Sequence, residues 1–331
     1  LARIAYYLSR GDVASADWQK RKLAQIGELT GDVQAIINQY RARILLQTGK
    51  AVSESAEDIL AQIKARAPKQ LKTIAAMTPE MRRIIETWSG SAATKVNLAM
   101  AQLAQNAGTK YVAAVSKASL SVVTGTETLQ RAVMQSIGEL ERLDAFVDKA
   151  GRTWTPEGYV KMVVRDNQRR ASTAAMFQAA AEGETDLIEV SSHLGARPKC
   201  APYQGRIFSI SGRSKKYPAL ADTSFGQPDG LNGINCGHIF YPYFEGLSKK
   251  TYEPYPAKEN KEVYQQSQEQ RAAERKIRYY KREAQKWGAT EGGENKAAYY
   301  QNRVKESQAE MREFIKETGR TRQRDREVIY G

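Results

Sequence analysis

Apolar residues in the first 190 positions recur every three or four residues, the spacing that lines up one face of an α-helix. Ile36, Ile37, Tyr40, Ile44 and Leu45 keep this period. Thr78-Pro79-Glu80 puts a capping hydroxyl before a proline whose fixed φ suits the first helical turn. It opens a helix through Met81, Ile84, Ile85 and Trp88. Thr155-Pro156-Glu157 repeats the signal ahead of Tyr159, Met162, Val163 and a run reaching Phe177. Val112–Ile137 predicts one or two further helices, broken near Gly125. Helices of this kind bury one stripe and expose the rest, so they depend on packing partners.

The period changes after residue 186. Leu187–Val190, Arg206–Ile210 and His238–Tyr243 are short apolar or aromatic runs with strand character. Turn residues separate them, as in Ser211-Gly212-Arg213 and Gly226-Gln227-Pro228-Asp229-Gly230. From residue 257 the helical spacing returns. Val263, Ala273, Ile277, Tyr280, Ala284 and Trp287 form one seam, with Gln266 and Gln270 in its gaps. Gly292-Gly293 breaks it, and Ala297, Val304, Met311 and Ile315 form a second. The pattern predicts a mainly α chain with a small α+β domain. Its expected parts are elongated N-terminal helices over 1–190, a small loop-rich β-containing domain over 191–256, and a C-terminal helical hairpin arm over 257–331.

Composition sharpens this picture. The 331 residues are 41% hydrophobic, and no apolar run approaches the roughly 20 residues a membrane-spanning helix needs. The N-terminal residues lack the apolar core and cleavage site of a signal peptide, and Leu1 in place of Met implies an upstream piece that is missing or removed. Residues 191–256 hold seven of the 10 prolines. A domain of some 60 residues is marginal for a core of its own, so a metal or neighbouring helices are expected to hold it.

The chain has only 2 Cys and 2 His, and all four fall in one window: His193, Cys200, Cys236 and His238. Thiolate and imidazole are the usual zinc ligands, and a structural site takes four in a tetrahedron. Alternate residues of an extended chain share a face, so Cys236 and His238 can meet one ion. His193 and Cys200 flank a loop with Gly195 and Pro198 that can fold back to supply the rest. One structural zinc ion is therefore the expected cofactor. Three other readings stand beside it: buried small residues with backbone-satisfied histidines, a disulfide, and a Cys–His nucleophile pair.

Two stretches carry a resemblance. Residues 191–208 read Ser191-Ser192-His193-Leu194-Gly195-Ala196-Arg197-Pro198-Lys199-Cys200-Ala201-Pro202-Tyr203-Gln204-Gly205-Arg206-Ile207-Phe208, and residues 233–243 read Gly233-Ile234-Asn235-Cys236-Gly237-His238-Ile239-Phe240-Tyr241-Pro242-Tyr243. With Gly158–Arg165 and Gln270–Arg278, they resemble the phage minor capsid protein 2 family, a relative of the Mu F-like head morphogenesis proteins. Cys200, Gly205, Arg206, Cys236 and His238 look equivalent to the Cys-containing pattern of the Mu F-like domain, with His238 where that pattern has a Cys. The resemblance implies a non-enzymatic virion protein, made in the host cytoplasm and placed inside the capsid near the portal vertex. It implies the portal protein as partner, with several copies around the portal ring, alongside the major capsid protein and packaged double-stranded DNA, and no membrane.

Net charge bears on the DNA. The chain is formally +14, and residues 191–250 carry eight Lys or Arg against three Asp or Glu. Arg213, Lys215, Lys216, Lys249 and Lys250 are candidate phosphate contacts, as are Arg320, Arg322, Arg324 and Arg326. Such contacts bind a polyanion without reading its sequence. A solvated basic face is the plainer alternative. Two further functional readings stay open: a metal-dependent nuclease-like enzyme, for which residues 191–250 offer only Asp222, Asp229 and Glu245 as carboxylates, and a sequence-independent DNA-binding module.

Overall fold

The computed structural model describes residues 2–10, 15–32, 78–124, 126–139, 146–147 and 153–329, with scattered positions between 34 and 61. Ile36, Ile37, Tyr40, Ile44 and Leu45 lie outside the described residues. The chain forms two compact units. One comprises Leu1–Arg41, Leu98–Gly158 and Gln268–Gly331, and the other comprises Ala42–Asn97 and Tyr159–Ser267.

Helices dominate: α1 (Ala2–Ser9), α2 (Ser15–Ala24), α3 (Pro79–Val123), α4 (Leu129–Glu139), α5 (Pro156–Glu182), α6 (Ala257–Gly288) and α7 (Glu294–Thr318). Both Thr-Pro-Glu signals start helices. The Met81 amide donates to Thr78 Oγ1 at 3.2 Å, and the Gly158 amide donates to Thr155 Oγ1 at 3.2 Å. Each hydroxyl satisfies one of the amides that a first turn leaves without a carbonyl. The run predicted from Val112 joins the one opened at Pro79, so α3 is a single helix of 45 residues. It ends at Val123 and α4 begins at Leu129, which puts the break where Gly125 predicts it.

In the unit that contains the chain's two ends, the core is helical. Leu8 of α1, Trp18 of α2, Tyr111 and Val115 of α3, Ile137 of α4, Trp287 of α6 and Ala297 of α7 are buried together. A two-stranded ladder, β1 (Phe146–Val147) with β2 (Thr153–Trp154), also lies in this unit. The helical pair of α6 and α7 forms as the two seams predict, with Gly292 at φ 76° in the turn between them.

The other unit holds a three-stranded antiparallel sheet in the order β4 (Ile207–Ser209), β3 (Leu187–Val190), β5 (Phe240–Tyr243). Ile188 lies opposite Phe208 on one side and Pro242 on the other. Pro242 cannot donate to a ladder, which suits its place on an outer strand. All four residues of β3 are buried, Glu189 among them. The Glu189 carboxylate accepts the Thr251 and Tyr252 amides at 2.6 and 2.7 Å, so its charge is met inside the fold. Ile188, Val190, Phe208, Phe240, Leu220 and Leu231 form the apolar cluster that includes both cysteines. Phe177 of α5, Phe225 and Phe240 pack with ring centroids 5.4–6.2 Å apart. Tyr241 and Phe244 pack in a second cluster with Met81 of α3 and Met176 and Ala179 of α5. The sheet therefore draws its cover from helices that precede it in sequence, as well as from its own loops.

Candidate metal centre

Two loops bring the rare residues together. The first runs from the end of β3 through His193 and Cys200 to the short 3-10 turn Ala201–Tyr203. It is tied to α6 by Asn260, whose side chain accepts the Ala196 amide and donates to the Ala196 carbonyl, both at 2.8 Å. Gly205 closes it at φ +64°, where a Cβ would lie 2.5 Å from the Glu253 carbonyl carbon. The second loop delivers Cys236 and His238 just before β5. Arg169 of α5 donates to the His238 carbonyl, and Arg197 donates to the Ile234 carbonyl at 2.6 Å.

The ligand atoms of Cys200, Cys236 and His238 lie within 4.8 Å of one another. The three residues are 1%, 3% and 1% exposed, and both cysteines are free thiols. Cys236 Sγ stands 3.4 Å from His238 Nδ1. His193, the fourth residue expected from the sequence, stands beside this set but outside it, since its ring nitrogens do not come within 4.8 Å of all three. Its ring centroid is 4.5 Å from that of His238, with the rings tilted by 37°. Its Nε2 is buried and has no hydrogen-bond partner. Gly237 leaves the room for it, since a Cβ there would lie 2.6 Å from His193 Nε2.

The electrostatics fit a set of metal donors. A hydrogen bond from Cys200 lowers the pKa of Cys236, and the same bond, with burial, raises that of Cys200. Burial, with the neighbouring His238, lowers the pKa of His193 and favours its neutral, lone-pair-bearing form. A metal ligand must be deprotonated, and a closed set of thiolate and imidazole donors is what a structural zinc ion takes. Cys200, Cys236 and His238 thus form a cluster that could hold a metal ion. Among the described residues the cluster contains no carboxylate.

The basic candidates separate by setting. Arg213, Lys215, Lys216, Lys249 and Lys250 are exposed. Lys216 is ion-paired with Glu245, and Tyr217 also donates to Glu245 at 3.3 Å, which joins the 211–217 loop to the turn after β5. Lys250 pairs with Glu253 at 2.7 Å. Exposed pairs of this type contribute little and open readily. The C-terminal arginines are arranged differently. Arg322 makes two 2.6 Å bonds to Glu327, which is 3% exposed, and Arg320 donates to Gln270 Oε1 of α6 at 2.8 Å. Arg278 of α6 donates to the Arg326 carbonyl, and Lys281 donates to the Glu327 carbonyl at 2.8 Å. Arg320 binds the tail to α6 and Arg322 folds the tail on itself through Glu327, while Arg324 is exposed and Arg326 half-buried.

Gln204, Asn260, Arg169 and Arg197 support the cluster and escape a search for metal-ligand residue types. Gln204, which lies within the resembling stretch 191–208, is 1% exposed. Asp229 and Glu245, two of the three carboxylates near the cluster in sequence, pair at the surface with Lys199 and Lys216.

Comparison with known proteins gives an independent view. The profile of the family described as phage minor capsid protein 2 matches residues 1–316. A structural protein of Lactococcus phage LL-H is 29% identical over 346 aligned residues, spanning 95% of this chain and 89% of that one. A structural protein of Lactococcus phage mv4 is 34% identical over 124 residues, or 34% of this chain and 93% of that one. No solved structure matches. Among the described residues no helix is long and apolar enough to cross a membrane.

Proposed function

The chain belongs to the phage minor capsid protein 2 family, and from that membership we propose that it acts without catalysis in head assembly at the portal vertex, inside the capsid and against packaged DNA. The observation that carries this reading is the family match across 316 consecutive residues, which takes in both compact units. Made in the host cytoplasm, the protein joins the portal ring in several copies as part of the virion, with the major capsid protein as a further neighbour. The exposed cations Arg213, Lys215 and Lys249 meet phosphates without reading bases, and Arg324 adds a contact from the C-terminal tail.

Zinc is the ion proposed for the buried cluster, with Cys200, Cys236 and His238 as ligands and the adjacent His193 Nε2, which lies outside that set, moving in as the fourth donor. The unpartnered buried nitrogen supports that assignment, because an imidazole lone pair left without a partner costs free energy. Bound there, zinc would cross-link the 193–200 loop to the 236–238 loop in a domain whose own core is small. Burial of Cys200, Cys236 and His238 restricts the approach of a substrate, which favours a structural ion over a nuclease centre.

Two measurements test this function. Purified portal rings should retain the protein through gel filtration, and elemental analysis should return about one zinc per chain, lost in Cys236→Ala. A protein that ignores the portal ring would contradict the assembly role, and a folded, metal-free protein would contradict the zinc assignment.

A further inference from the structure

The hydrogen bonds around Gln204 decide which ring atom of His238 faces the cluster. The backbone N–H of His193 can only donate, and it lies 3.1 Å from one terminal atom of the Gln204 side chain. That atom must be the carbonyl oxygen, Oε1. The same oxygen lies 3.4 Å from His238 Nε2. An oxygen that only accepts requires a proton on the nitrogen facing it, so Nε2 carries the proton. Nδ1 is then left to face Cys236 Sγ at 3.4 Å. A parallel argument holds for His193. Its Nδ1 faces the Leu194 carbonyl at 3.4 Å, which places the proton on Nδ1 and the lone pair on the unpartnered Nε2.

We infer that Gln204 is the positioning residue of the centre: it holds a proton on His238 Nε2 and so commits Nδ1 to the metal. Gln204 is suited to the task because it is 1% exposed and is fixed from both sides. The 3-10 turn precedes it, and Gly205, with no Cβ to strike the Glu253 backbone, follows it. A partner that fixes the second nitrogen of a metal-bound imidazole sets ring orientation and tautomer, and its loss commonly costs 10- to 100-fold in metal affinity. This role rests on the metal reading above, but the placement of the proton can be measured without metal.

The chain has only two histidines, so selective 15N-histidine labelling of the full chain resolves both rings. In metal-free wild type, long-range 1H–15N spectra should show His238 protonated at Nε2. A His238 ring protonated at Nδ1, whether alone or together with Nε2, would overturn the proposal. Cobalt(II) titration with absorption readout gives the second arm. Gln204→Leu should bind cobalt about tenfold or more weakly than wild type. Gln204→Glu, which keeps an accepting oxygen in place, should bind at least as well as wild type. Equal affinity in all three proteins would overturn the positioning role. Should Gln204→Leu fail to fold, the Gln204→Glu titration and the wild-type spectra still decide it. Wild type that takes up no cobalt while holding the Nε2 proton would reject the metal reading and leave the hydrogen-bond assignment standing.

Discussion

Gly237 lies close to both histidines. Its backbone needs no unusual φ, yet any side chain there would meet His193 Nε2 at 2.6 Å. Gly237→Ala should therefore push the His193 ring from the cluster and weaken cobalt binding, with a smaller effect on helix content by circular dichroism. At Glu274, buried in α6, burial raises the carboxyl pKa despite the nearby Arg326, Arg278 and Arg271. A carboxylate whose folded pKa is raised is destabilising above that value, and the penalty vanishes below the unfolded pKa. Glu274→Gln should accordingly raise the thermal midpoint at pH 7, and its advantage should shrink as the pH falls from the raised folded value toward the ordinary glutamate value, and be gone below it. At this scale the sequence was informative about chemistry-bearing types and silent about support. His193, Cys200, Cys236 and His238 stand out by rarity. Gln204 and Asn260 have common side chains whose roles arise from contacts 11 to 64 residues away.

Elements were legible where their signals are local. Thr78 and Thr155 cap α3 and α5 because hydroxyl, proline and capped amide lie within four consecutive residues of the chain. Replacing either threonine by alanine should cost about 1 kcal/mol of stability, read from chemical denaturation of the variant beside wild type. The glycine pair at 292–293 separates α6 from α7 for an equally local reason. The C-terminal tail was not legible in this way. A row of four alternating arginines reads as a polyanion contact, and only the folded chain pairs Arg322 with Glu327 and sets Arg320 on Gln270. Gln270 and Glu274, polar residues in the seam of α6, are buried, and the tail supplies the Thr321 carbonyl that accepts from Gln270. Glu327→Ala should release this latch and speed tryptic cleavage after Arg320, Arg322 and Arg324 several-fold. An unchanged cleavage rate would mean that the tail is held by its other contacts alone.

For the whole molecule, net charge and family membership lead to different measurements. Non-specific DNA binding should fall steeply with salt, each phosphate contact adding about 0.9 to the logarithmic slope. The paired change Arg213→Glu with Lys249→Glu should lower affinity and reduce that slope by about two, with no dependence on DNA sequence. Retention of the full slope would exclude these residues from the contact. The assembly role is a claim about place, and the direct test is an asymmetric electron cryomicroscopy reconstruction of the intact virion at the portal vertex. Density for this chain lining the inner face of the portal ring, beside the packaged DNA, is the expected result. Density spread over the outer shell or confined to the tail, with none at the portal, would contradict it.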